Sequence, residues 1–159
     1  MTKLFLDNRA PANIPPLEEF TVSAVIRPGE MVDGVMIVWA GEHLREHVLH
    51  AREGPVPATT LYERVLGVEG CDLPIRSRYV NQSGIVDELG GREKVNITFG
   101  QYWWYLTHAD RARWYTSYVL VDGKLYGVHA GWTQGGLHIE SGPFGRSHSW
   151  AKGCVFLVP

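Results

Sequence analysis

Two strand-length runs, Trp114-Tyr-Thr-Ser-Tyr-Val-Leu-Val and Lys124-Leu-Tyr-Gly-Val-His-Ala, are joined by the dipeptide Asp122-Gly123. Both runs are dense in β-branched and aromatic residues, which suit a pleated, half-buried surface. The two-residue connection is the strongest short-range signal for a tight hairpin, because Asp and Gly tolerate the positive φ angles that such a turn demands. An isolated hairpin is barely stable in water, so this pair must recruit further strands. Residues 20–28, 34–41, 95–99, 101–106, 135–140 and 154–158 supply them, each a short apolar or alternating run.

Helical signals are fewer. Residues 42–53 are ambiguous: they score as a helix by propensity, with Leu44, Val48 and Ala51 on one side, and a returning strand over part of them stays open. Thr60-Leu-Tyr-Glu63 has the form of a capping box and predicts a short helix over residues 61–66, closing at Gly67. Residues 1–17, with Pro11, Pro15 and Pro16, are expected to form an extended N-terminal arm lying over the body without a long regular element. There are no repeats and no linker, so residues 18–159 read as one β-rich domain. The expected class is mainly β: a single-domain β-sandwich or small open barrel with one or two short helices.

Composition narrows the function classes. A chain of 159 residues with 45% hydrophobic and 20% charged residues can bury one real core. Its formal net charge is -2 and its 15 Lys and Arg are scattered, so the basic stripe that supports nucleic-acid binding is missing. No run approaches the roughly 20 apolar residues that cross a bilayer, so no membrane insertion is expected. The start, Met-Thr-Lys-Leu-Phe-Leu-Asp-Asn-Arg, breaks into charge before a signal-peptide core can form. The expectation is a protein made soluble without a signal peptide, cytoplasmic or exported by a non-classical route.

Chemistry concentrates at the C-terminal end. Cys154 follows Gly153, leads into an apolar run and stands sixteen residues after His138. A thiol acts as a nucleophile only as thiolate, so it needs a base, a partly open position and donors for the developing oxyanion. In that arrangement His138 is the base, Ser149 or Ser147 orients the imidazole, and the amides of Lys152 and Gly153 hold the oxyanion. His129, within Gly127-Val-His-Ala-Gly131, is the alternative base. The run Cys-Val-Phe-Leu-Val also describes a small buried core cysteine.

The segments Leu137-His138-Ile139, Ser147-His148-Ser149 and Gly153-Cys154-Val155 resemble, in order, the signature of the L,D-transpeptidase catalytic domain. In that signature a His-Gly strand is followed across a loop by Ser/Thr-His-Gly-Cys. Gly54-Pro-Val-Pro-Ala58 with Leu61-Tyr62 is similar to the family's upstream Gly and Thr-Pro segment, so the likeness covers roughly residues 33–159. Ala151 stands where the family has Ser/Thr, Lys152 replaces its second histidine, and no Arg follows the cysteine. The resemblance implies a cysteine-dependent enzyme acting on peptidoglycan stem peptides, as transpeptidase or carboxypeptidase, with no cofactor. A second order, Cys71 followed by His129, is that of papain-like cell-wall amidases, although Pro74 interrupts the helix those enzymes need.

The competing reading is a non-enzymatic β-sandwich binding or structural module, such as a glycan-binding or phage structural protein. Trp103, Trp104, Tyr105, Trp114, Tyr115, Tyr118, Tyr126 and Trp132 crowd into thirty residues. Rings on one sheet face can stack on sugars or peptides, while alternate positions fill a core. Candidate contacts to a peptidoglycan peptide or glycan are Trp104, Trp132, His148 and Arg111, the last through a forked contact to a carboxylate. Two histidine groups have metal-like spacing: His43, His47 and His50 on one helix face, and His129, His138 and His148 with Glu140. Neither carries a metal-binding motif, and a charged, solvated helix face explains the first more simply. No metal is expected.

Overall fold

The computed structural model describes residues 4–18, 20–21, 26–49, 52–68, 80–109, 113–144, 149–150 and 154–159. Among the described residues, thirteen strands run in chain order as β1 (Leu4–Ile14), β2 (Phe20–Thr21), β3 (Met31–Val32), β4 (Val35–Ala40), β5 (Arg52–Glu53), β6 (Thr59–Val68), β7 (Val80–Asn81), β8 (Asn96–Ile97), β9 (Trp114–Val121), β10 (Lys124–Thr133), β11 (Gly136–Pro143), β12 (Ser149–Trp150) and β13 (Val155–Val158). Four helical pieces interrupt them. These are a π-helical turn at Leu44–Val48, then α1 (Gln82–Glu88), α2 (Arg92–Val95) and α3 (Phe99–His108).

The hairpin expected from Asp122-Gly123 forms the middle of the sheet. Asp122 has φ 48° and Gly123 φ 76°, so both central residues take the positive angles of a twist-matched two-residue turn. Around it, nine strands make one open mixed sheet in the order β1-β6-β13-β9-β10-β11-β4-β3, with β8 also paired to β9. β13 and β8 run parallel to β9 along the same edge, one beside Tyr115 and Thr116, the other beside Tyr118 and Val119. The mainly β, single-domain reading holds, with one open nine-stranded sheet beside two two-stranded pairs, β12-β7 and β2-β5.

Alternation along the strands assigns two cores to the two faces. One face carries Ile37, Leu61, Tyr115, Val119, Val128, Leu137, Ile139, Val155 and Leu157, and packs against α3 and the π-helical turn. The other carries Tyr118, Phe156 and Val158, and packs against Ile85 and Val86 of α1, Leu89, and Val95 at the end of α2. All four residues of β13 are buried because both of its faces are covered, which explains why Val-Phe-Leu-Val reads as a continuous apolar run.

Three local expectations give way to tertiary structure. Residues 101–106 read as a strand but belong to α3. Phe99, Tyr102, Trp103 and Leu106 follow the i, i+3, i+4, i+7 period and are buried together. The N-terminus of α3 is satisfied amide by amide. Glu53 accepts from Phe99 N at 2.6 Å and Gly100 N at 2.8 Å, and Thr98 Oγ1 accepts from Gln101 N at 3.1 Å. Gln101 Oε1 in turn accepts from Thr98 N at 2.9 Å, closing a capping box.

The helix expected over residues 61–66 is instead part of β6. Its glutamate does not reach back to cap a helix: Glu63 accepts from the Tyr105 hydroxyl and from Arg113 Nη1 at 3.2 Å. Partners far along the chain outbid the local capping pattern. In the N-terminal segment, Leu4–Ile14 is a regular strand on β6, with its register broken between Asn8 and Pro11. A bulge on an edge strand is where a residue without an N–H is tolerated. Among the described residues, no helix is long and apolar enough to cross a membrane.

Candidate functional site

On the second face of the sheet, α1 and α2 pack beside Tyr118, Phe156 and Val158. Beyond them lies a band of rings, set by strand register. One row across the sheet pairs Trp114 of β9 with Gly131 of β10, Gly131 with His138 of β11, and His138 with Trp39 of β4. The neighbouring row pairs Thr116, His129 and Glu140. Directly paired residues point to the same face, so these two rows build one surface.

Two backbone features make the band continuous. At β4 the register shifts between Leu137↔Ile37 and His138↔Trp39, so Val38 is the extra residue of a bulge. That extra residue turns Trp39 to the side of His138, although Ile37 faces the core. At β10, Gly131 has no side chain, and the Trp114 indole lies over it: a Cβ there would fall 2.0 Å from Trp114 Cδ2. Only glycine accommodates that approach.

The rings then meet in series. Trp114 stacks on His129 at 4.8 Å between centroids with 23° between planes. It meets His138 at 5.6 Å, and His138 meets Trp39 at 6.1 Å. Trp39 and Trp114 remain 48% and 38% exposed, high for the largest apolar side chain. Polar groups edge the band. Glu140 Oε2 lies 3.6 Å from His138 Nε2, and Thr116 Oγ1 lies 2.9 Å from His129 Nδ1 in a hydrogen bond whose direction follows the imidazole tautomer. A flat run of aromatic faces bordered by a carboxylate and imidazole nitrogens offers CH–π stacking from its centre and hydrogen bonds from its edge.

The sheet order bears on the cysteine reading. Cys154 is half-buried against the second core, just before β13. β9 and β10 lie between β13 and the strand of His138, three inter-strand spacings or about 14 Å. His129 sits one strand nearer. The imidazoles expected as bases lie in the ring band, His129 against Trp114 and His138 against Trp114 and Trp39.

The other expected site residues are dispersed. Ser149 is in β12, paired with Asn81 of β7. Trp132 packs against the main core on the opposite face from His138, and Trp104 is half-buried on α3, also on that side. Lys152, Gly153, His148 and Arg111 lie outside the described residues, as do Cys71 and Ser147.

Of the histidines with metal-like spacing, His43 and His47 do share a face, with rings 4.5 Å apart. They meet Tyr126, and His43 Nδ1 lies 2.7 Å from Ser141 Oγ. His50 lies outside the described residues. No group of three His, Cys, Asp or Glu among the described residues is placed to hold a metal ion.

Trp39 is the site residue that sequence reasoning missed. Its run, Val-Met-Ile-Val-Trp-Ala, carries no local mark of the bulge that exposes it. Compared with protein-family models, with curated proteins and with solved structures, the chain matches none.

Proposed function

We propose that this protein is a binding module whose contact surface is the Trp39–His138–Trp114–His129 band, and that its ligand is a glycan of the peptidoglycan type. The observation that carries this reading is the pair of half-exposed tryptophans held in one ring series across four strands. A sugar ring presents an apolar C–H face and a rim of hydroxyls. The band matches the first with indole and the second with Glu140 and the imidazole nitrogens. Being built on strands, it is set before the ligand arrives, which lowers the ordering cost of binding.

An aromatic contact contributes about 0.5–1.5 kcal/mol beyond buried area, and roughly 1.4 kcal/mol is a tenfold change in affinity. Titration with a soluble peptidoglycan oligosaccharide, followed through the indole N–H resonances, therefore weakens about tenfold in Trp39→Ala and in Trp114→Ala. Cys154→Ala binds as the parent does. Absence of saturable binding refutes the proposal. Stem-peptide turnover that disappears in Cys154→Ala replaces it with the cysteine acyl-transfer reading.

A further inference from the structure

On the side of the sheet away from the ring band lies an open cavity of 490 Å³, lined by α3, Asp33 in the turn between β3 and β4, Glu53 of β5, and the chain at Leu17 and Glu18. Its size is within the roughly 300–1,000 Å³ typical of small-molecule sites. The indoles of Trp103 and Trp104 form its walls, and Glu18, Asp33 and Glu53 contribute carboxylates. No lysine or arginine is among its described lining residues. His108 also lines it, its ring lying flat on Trp104 at 3.9 Å and 11°.

We infer that this cavity is a binding site for a small organic cation, an alkylammonium group seated against the indoles of Trp103 and Trp104 and neutralised by Asp33, Glu18 and Glu53. Three chemical arguments select that class. Among the described lining residues, an anion entering the cavity meets three carboxylates and neither lysine nor arginine. A neutral apolar guest strips water from those carboxylates and returns nothing to them, which is costly. An ammonium satisfies both wall types, since indole is the best ring partner for a cation and the attraction grows to about 2 kcal/mol once water is excluded.

The walls are prearranged for such a guest. Trp103 Nε1 donates to Asp33 Oδ2 at 2.7 Å, fixing indole and carboxylate relative to each other. Glu53 is seated on the first amides of α3, its Oε2 accepting from Gly100 N at 2.8 Å, which holds that carboxylate at the cavity wall. A carboxylate has about four lone-pair sites, so these internal bonds leave acceptor capacity on both side chains.

The test compares choline with its tert-butyl analogue, in which carbon replaces the charged nitrogen, and with acetate, reading the indole N–H resonances of Trp103 and Trp104. Choline shifts both resonances saturably, the neutral analogue binds at least tenfold more weakly, and acetate does not bind. Asp33→Asn weakens choline at least tenfold, and Trp39→Ala leaves it unchanged, which separates this site from the ring band. Should Asp33→Asn fail to fold, the exposed Glu18→Gln serves in its place, with a smaller loss of the same sign. Equal binding of choline and the neutral analogue, any binding of acetate, or no saturable response to choline overturns the inference.

Discussion

Gly131→Ala is the most incisive perturbation of the ring band, because it changes one hydrogen into a methyl where the Trp114 indole lies. The added carbon would fall 2.0, 2.2 and 2.5 Å from Trp114 Cδ2, Cε2 and Cε3. The backbone of Gly131 cannot retreat, since it is paired to Trp114 on one side and to His138 on the other. The indole must therefore swing away, breaking its stack on His129.

The cost follows from area. An aromatic side chain buries about 150–250 Å² when fully covered, and Trp114 is more than half covered. Exposing most of that share forfeits about 2–3 kcal/mol at roughly 25 cal/mol per Å². Loss of the stack adds about 1 kcal/mol, and the lower backbone freedom of alanine in a strand returns about 0.5–1 kcal/mol. The net of about 2–3 kcal/mol lowers Tm by about 5–10 °C in a chain of this length. In a Trp114→Ala background the clash is absent, so the same substitution stabilises by about 0.5–1 kcal/mol. Thermal unfolding of the parent, the two single variants and the double variant measures that reversal of sign. If Gly131→Ala has the same small effect in both backgrounds, the indole does not lie over β10 and the site reading fails.

Other perturbations probe the frame around the two sites. Glu53→Ala leaves the amides of Phe99 and Gly100 without their acceptor, at a cost of about 1–3 kcal/mol for each buried donor, measurable by chemical denaturation. Burial raises the Glu53 carboxyl above its ordinary value of 4.5, outweighing the hydrogen bonds from Gly100, Phe99 and Thr98 that lower it. The folded chain therefore holds that proton more tightly than the unfolded chain. Its contribution to stability is greatest below pH 4.5 and declines as pH rises through the raised value, a component that Glu53→Gln removes. If the pH dependence of unfolding is the same in parent and Glu53→Gln, that assignment is wrong. At the alkaline end, burial raises the Tyr102 phenol, and burial followed by Glu63 raises that of Tyr105, both above the usual 10.0. Both phenols stay protonated in the fold, so stability is lost as pH passes 10.0, and their phenolate absorbance emerges only with unfolding. Phenolate signal from either residue in the folded protein contradicts their burial.

What the chain determined by itself is local. The hairpin of β9 and β10, with β4, β11 and β13, was legible because β-branched and aromatic runs bounded by turn residues carry their own geometric instruction. The start of α3 was marked too, by Thr98 and Gln101 and by a helical period in Phe99, Tyr102, Trp103 and Leu106, although its aromatic density also suits a strand. Thr60-Leu-Tyr-Glu63 shows the limit of such signals, since Tyr105 and Arg113, distant in sequence, claim the glutamate that would have capped a helix.

Only the tertiary structure decided which strands are neighbours. Alternation says which residues share a face of one strand and says nothing of what lies beside it. The insertion of β9 and β10 between Cys154 and His138 was therefore invisible in a sixteen-residue spacing. The same holds for the bulge at Val38 and the bare backbone at Gly131, which bring Trp39 and Trp114 to the histidines. Strand order and register are settled by how the whole chain covers its apolar faces at once, and no short stretch of residues contains that sum.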